Sequence, residues 1–185
     1  MEEFDRVIDI DLRAVFSLTQ LAALRMVKQR PREHAINKQL AIKGLPSIRG
    51  SIVNISSVHS IATLAGVAPY AAAKAGVVGM SKSISNELAS MGIRVNVLSP
   101  GLVSTQIWDD VKAAAPSRHA ATEHWARNIP QGAPNTPFEI AQAACFLLSP
   151  MASAFSGANL VVDGGMTSQL VSQPPYKAKP HGAGR

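Results

Sequence analysis

The sequence predicts an α/β layer fold with parallel strands, on three observations. Short apolar runs near 51–57, 94–98 and 159–162 alternate with longer segments of helical period. Bulky apolar residues crowd these runs (Ile52, Val53 and Ile55; Val95, Val97 and Leu98), which suits strands covered on both faces. Turn signals follow at Gly92, Ser99-Pro100-Gly101 and Asp163-Gly164-Gly165. The expected order is helix, strand, helix, strand, helices, strand. That is half of a doubly wound sheet: three parallel strands with flanking helices.

The first helix is expected from Glu2 to about Gln29, because Phe4, Ile8, Asp11, Val15, Leu18 and Ala22 recur at spacings of three and four. Asp11 is the polar member of that stripe. Residues 31–50 break the pattern with Pro31, Gly44 and Pro46 and carry Arg32, Lys38, Lys43 and Arg49. They read as an exposed basic loop with a turn or two of helix around Ala35–Ile42. A helix is expected over 69–89, with a flank of small residues (Ala71, Ala72, Ala73, Ala75, Gly76, Gly79) that lets another helix come close. Residues 105–128 read as irregular helix carrying Trp108 and Trp125. The next helix starts at Thr136, where Thr136, Pro137 and Glu139 make a capping box with proline in the first turn. Its apolar stripe is Ile140, Ala144, Leu147 and Leu148, and Pro150 stops it. One domain over 1–170 and a disordered tail over 171–185 are expected.

Composition narrows the function classes. The chain has 185 residues, 46% of them hydrophobic and 16% charged, which suits one globular domain. No apolar run is long enough for a membrane span, and the acidic start carries no signal-peptide pattern. Cys145 stands alone, so an intrachain disulfide is excluded and a reducing, cytoplasmic setting is expected. Much of the net charge of +6 lies in the 30–49 segment and after Tyr176, without interleaved aromatics or a zinc pattern. Solvated loops are expected there rather than a nucleic-acid interface. His119 and His124 are five residues apart with no supporting carboxylates or cysteines, so no metal site is expected. Ser57 and His59 lie outside any Gly-x-Ser-x-Gly elbow, which argues against a hydrolase.

Three features on consecutive strand ends carry chemistry. Tyr70 and Lys74 are four residues apart on one helix, so their side chains share a face one turn apart. A free tyrosine ionises only near pH ~10 and is a poor base at neutral pH. A nearby ammonium favours the phenolate, so Lys74 is placed to make Tyr70 a usable proton acceptor or donor at an alcohol or carbonyl oxygen. Ser57 ends the preceding strand, on the rim where parallel α/β sheets bind ligands. Pro100 and Gly101 end the next strand on the same rim, and Thr105 can present a hydroxyl there.

The stretches Gly50-Ser-Ile-Val-Asn-Ile-Ser-Ser57, Tyr70-Ala-Ala-Ala-Lys74, Asn96-Val-Leu-Ser-Pro-Gly101 to Thr105, and Val162-Asp-Gly-Gly165 together resemble the short-chain dehydrogenase/reductase family. The resemblance runs from about Phe4 to Thr167. It implies part of a Rossmann-type fold, NAD or NADP as cofactor, and interconversion of a small-molecule alcohol and carbonyl. By position, Ser57 resembles the residue that orients the substrate oxygen and Tyr70 the general acid/base. Lys74 resembles the group that binds the nicotinamide ribose. Pro100, Gly101, Val103 and Thr105 resemble the loop that holds the carboxamide. The 2–29 and 69–89 helices resemble the family's dimer interface, which implies a homo-oligomer or pairing with relatives. Trp108 and Trp125 either line a substrate pocket or pack within the irregular helical segment; the first is favoured because the 105–128 segment resembles the part of the family that covers the site.

Two departures stand out. Asp11 lies where the family usually has an asparagine of the proton relay. A buried carboxylate there needs a partner, and Lys74 is the candidate. No Gly-rich strand-to-helix turn of the kind that cradles a pyrophosphate is present, so the sequence resembles the family from its fifth helix–strand unit onward. The adenine side of the site, which would choose NAD or NADP, is therefore expected to be missing, as in a truncated product or an incomplete gene reading. The alternative to an oxidoreductase is a catalytically inactive form that pairs with full-length relatives.

Overall fold

A computed structural model describes residues 1–31 and 34–171. Three strands form one parallel sheet in the order β1-β2-β3: β1 (Gly50–Ile55), β2 (Ile93–Pro100) and β3 (Asn159–Val162). The expected 94–98 strand extends further at both ends. The expected 51–57 strand stops at Ile55; the Ser56 amide still donates to the Leu98 carbonyl at 2.8 Å, and Ser57 then caps a short 3-10 turn (Val58–Ser60). β2 lies between the other two strands, which is why Ile93, Val95, Val97 and Leu98 are all buried. Its polar Asn96 is buried too. Asn96 Nδ2 donates to the Phe155 carbonyl at 2.8 Å and its Oδ1 accepts from the Ala158 amide at 3.0 Å, so it stitches the approach to β3 onto the sheet.

Two apolar layers sandwich the sheet. On one face Ile52, Ile93 and Val95 pack with Ala23 of α2 (Ala14–Val27) and with Leu88 of α4 (Ala68–Leu88). On the other, Val53, Leu98 and Leu160 pack against Leu147 and Ala144 of α7 (Pro137–Leu148). Consecutive residues Ile52 and Val53 thus serve opposite layers, as strand alternation requires. The capping box of α7 is formed: the Glu139 carboxylate accepts from the Thr136 amide at 2.6 Å, and Thr136 Oγ1 accepts from the Glu139 amide at 3.3 Å. Leu148, expected in the stripe of α7, is exposed, because Leu147 takes the inward position at the last turn.

The first helix is not a uniform α-helix. α1 (Glu2–Ile8) runs into a π-helical turn (Asp9–Arg13) before α2 continues. A π turn absorbs an extra residue, so every inward position after it moves on by one. Thr19, at 2% exposure, replaces the expected Leu18, which is 67% exposed, and Ala23 is buried beside the half-buried Ala22. The small flank of α4 takes the same turn: a Cβ on Gly76 would lie 2.9 Å from the Leu12 side chain, while one on Gly79 would meet nothing within 4 Å. Gly92 ends the connection after α4 in the left-handed conformation, with φ of 71°.

The remaining elements frame the rim. The 31–50 segment holds α3 (Ala35–Ile42), with His34 accepting from the Ile36 amide at its start. The 105–128 region divides into α5 (Gln106–Ala114) and α6 (Arg118–Arg127). The expected disorder at 172–185 lies outside the described residues. None of the described helices is long and apolar enough to cross a membrane.

Candidate active site

The C-terminal ends of β1 and β2 and the first turns of α4 bring the chemistry together. Pro69 in the first turn of α4 suits the helix start, and the helix then places Tyr70 and Lys74 one turn apart. Lys74 Nζ lies 5.3 Å from the centroid of the Tyr70 ring, a cation over an aromatic face. The Lys74 residue is buried, and its ammonium pairs with Asp11 Oδ1 at 2.9 Å. The carboxylate anticipated as buried is half-buried, on the π-helical turn Asp9–Arg13.

Ser57 is connected to α4 through its neighbours in sequence. Ser56 Oγ donates to the Lys74 backbone carbonyl at 2.9 Å, fixing the end of β1 to the turn of α4 that carries Lys74. Ser57 Oγ accepts from the His59 amide at 3.2 Å. The His59 ring meets the Tyr70 ring edge-on, with centroids 5.5 Å apart and an interplanar angle of 74°. Burial pushes the His59 imidazole below its ordinary pKa, which favours its uncharged form. His59 was not recognised from the sequence as part of this site. Its place two residues after Ser57 was the only signal, and the ring contact depends on the turn and on α4.

Beneath the site a buried polar chain joins three elements. Thr19 Oγ1 of α2 donates to Asn54 Oδ1 of β1 at 3.0 Å, and Asn54 Nδ2 donates to Ser81 Oγ of α4 at 2.9 Å. These bonds satisfy groups that would otherwise be costly to bury, and they fix α2 and α4 relative to the strand that delivers Ser57.

The loop after β2 forms the neighbouring rim. The Gly101 amide donates to the Val162 carbonyl at 2.9 Å, tying the ends of β2 and β3. A Cβ on Gly101 would lie 2.7 Å from Asp163 Cβ, so only glycine fits there. Asp163 is itself a brace: its carboxylate accepts from the Gly165 amide (2.9 Å), the Thr167 amide (2.7 Å) and Thr167 Oγ1 (2.7 Å). Burial opposes ionisation of Asp163, but these hydrogen bonds together outweigh it and hold the carboxyl below the usual carboxylate range. Pro100 is the last residue of β2, and Val103 pairs with Asn135 in an isolated bridge. Thr105 precedes α5; its exposed hydroxyl makes only a long 3.5 Å contact with the Val103 carbonyl.

A cleft of about 430 Å³ opens beside His59 between the turn after β1, α6 and the segment after β3. Trp125 lines it, whereas Trp108 is 5% exposed and packs behind Trp125 at 6.4 Å, edge to face. The expectation that both tryptophans line a pocket therefore holds for Trp125 alone. Among the described residues no cluster of three or more His, Cys, Asp or Glu side chains could hold a metal ion.

The chain matches a known family over most of its length. The family profile described as Enoyl-(Acyl carrier protein) reductase matches residues 1–167. The chain belongs to the short-chain dehydrogenase/reductase family. Among its relatives in that family, 3beta-hydroxysteroid dehydrogenase 1 of Eggerthella lenta is 40% identical over 167 residues, covering 90% of this chain and 56% of that protein. The 3-oxoacyl-(acyl-carrier-protein) reductase FabG of Thermotoga maritima is 37% identical over 165 residues, covering 89% of this chain and 57% of the relative. Solved short-chain dehydrogenase/reductase structures align as well. Thermoplasma acidophilum aldohexose dehydrogenase, in ligand-free form, gives a TM-score of 0.77 at 28% identity over 94% of this chain and 63% of that one. A gluconate 5-dehydrogenase from Burkholderia cenocepacia, in complex with NADP and tartrate, gives 0.74 at 28% identity over 91% and 58%. The chain thus spans under two thirds of the length of these relatives.

Proposed function

We propose that this chain carries the proton-transfer half of an NAD- or NADP-dependent oxidoreductase that interconverts an alcohol and a carbonyl. One observation carries the reading: Lys74 Nζ lies 5.3 Å from the Tyr70 ring centre, and the His59 ring that meets Tyr70 follows Ser57 on the turn it caps, which supports hydroxyl, phenol and ammonium acting on one rim. Tyr70 is the general acid/base. In the oxidising direction its phenolate takes the hydroxyl proton of the alcohol; in the reducing direction the phenol returns a proton to the carbonyl oxygen. Ser57 donates a hydrogen bond to that oxygen and holds it against Tyr70. The Lys74 charge over the ring offsets the charge of the phenolate.

The residues present suit the nicotinamide end of the cofactor. A lysine ammonium has three N–H donors, and the Asp11 pair occupies one side of it, leaving donors for ribose hydroxyls. The open Thr105 hydroxyl and the backbone of Val103, on a loop pinned through Gly101, suit the carboxamide. When bound, the nicotinamide supplies the hydride acceptor or donor. Titration of the purified chain with NADH and NADPH, read by cofactor fluorescence, tests the reading. Saturable binding supports it, and absence of binding together with absence of turnover opposes it.

A second reading has its own observation. Leu18, Leu21 and Leu24 are exposed along α2, with Phe16 and Val27 beside them. Such a surface is larger than a lone chain needs to expose and suits pairing, either with a second copy or with a longer relative. If pairing is the whole role, the chain co-purifies with such a relative and shows no turnover alone.

A further inference from the structure

We propose that the cleft beside His59, whose ring meets that of Tyr70, takes an uncharged alcohol or ketone on a bulky, largely apolar skeleton, and that Trp125 is the side chain against which that skeleton packs. The proposal rests on Tyr70 being the reacting group, because His59 lines the cleft and touches the Tyr70 ring at 5.5 Å.

The lining of the cleft contains no Asp, Glu, Lys or Arg. Its apolar surface comes from Val58, Ala62, Leu64, Trp125 and Met166, with Leu170 at the mouth. Leu64 is 56% exposed and Leu170 98% exposed, so apolar surface continues outward from the cleft to its rim. Of the polar groups on the wall, His59, Thr167 and Gln169 are neutral or already engaged, and the His124 ring lies edge-on to Trp125 at 5.7 Å. Burial favours the uncharged form of His59, and His59 Nδ1 lies 2.9 Å from Thr63 Oγ1. Thr167 serves Asp163, and the Gln169 side chain donates to the Asn128 carbonyl.

Among the described residues, Lys74 pairs with Asp11, Lys112 with Asp109 at 2.7 Å, and Arg127 with Glu123 at 4.0 Å. A carboxylate or phosphate entering the cleft would lose its hydration and meet no Lys or Arg among the described lining residues. A compact apolar group would lose only unfavourable contact with water. Trp125 gives such a group a firm wall, because Trp108 backs its ring edge-on at 87° and Lys112 Nζ sits 5.2 Å from the Trp108 ring.

The chain has two tryptophans, so intrinsic fluorescence reads this directly. The full chain is titrated with tert-butylcyclohexanone and with the corresponding oxocyclohexanecarboxylate, which carries a carboxylate where the first carries the tert-butyl group. The expected result is saturable quenching by the neutral ketone, with affinity at least about tenfold above that of the carboxylate. The response should survive in Trp108→Phe and disappear in Trp125→Phe. Leu64→Lys, a change at an exposed rim position, should narrow or reverse the preference. Equal or tighter binding of the carboxylate to the parent chain overturns the proposal, as does quenching that persists unchanged in Trp125→Phe. The titration needs no turnover. A Tyr70→Phe variant that kept full activity would remove Tyr70 from the chemistry and leave the measured preference standing, so the two failures are distinguishable.

Discussion

The Asp11 carboxylate lies 2.9 Å from the Lys74 ammonium, which in turn lies 5.3 Å from the centre of the Tyr70 ring. Asp11→Asn removes the charged partner of the Lys74 ammonium. Loss of the half-buried pair should cost about 1–2 kcal/mol in denaturant unfolding. Unfolding curves that match the parent would contradict a structural role for this pair.

Asp163 makes an acid-stability prediction. Its folded carboxyl titrates below the ordinary range, so its contribution is present above the unfolded value and is lost as pH falls through the folded one. Thermal melts of Asp163→Asn should run below the parent at neutral pH, and the gap should close under acid conditions. Thr167→Val removes one of the three hydrogen bonds and should cost about 1 kcal/mol. A gap that is constant with pH would mean that Asp163 braces the turn by shape rather than by charge.

Gly101→Ala puts a methyl group 2.7 Å from Asp163 Cβ and 2.8 Å from its Cα. Backbone cannot yield as a flexible side chain can, so the ends of β2 and β3 must separate. About 1–3 kcal/mol of destabilisation is expected, along with weaker binding of NADH or NADPH. Denaturant melts and cofactor titration measure the two effects. Gly79→Ala, inside α4 with nothing within 4 Å, is the contrasting control and should stabilise by about 0.5–1 kcal/mol.

The exposed leucines of α2 predict association. Light scattering of the purified chain should show a dimer or higher species, and Leu21→Glu with Leu24→Glu should shift it toward monomer. A parent chain that is monomeric at all concentrations contradicts a pairing role for this face.

Much of the site was legible because helix geometry leaves little freedom. Residues four apart on a helix share a face, so Tyr70 and Lys74 meet once α4 forms. The Thr136–Glu139 cap and the left-handed Gly92 are equally local. The π turn was not legible, since one extra residue in a turn leaves no mark in composition, and it moved the buried face from Leu18 to Thr19. The Lys74–Asp11 pair could be named from the need of a carboxylate on an apolar stripe for a partner. The His59–Tyr70 contact and the division of labour between Trp108 and Trp125 depend on how separate elements pack, and residue spacing does not encode that.

The most direct test compares Tyr70→Phe with the parent chain in hydride transfer between NAD(P)H and a neutral ketone, with cofactor binding and thermal stability measured on the same samples. Loss of about 10²–10⁴-fold in rate, with binding and stability near parental values, is the predicted result. A Tyr70→Phe variant that turns over at the parental rate would contradict the assignment of proton transfer to Tyr70.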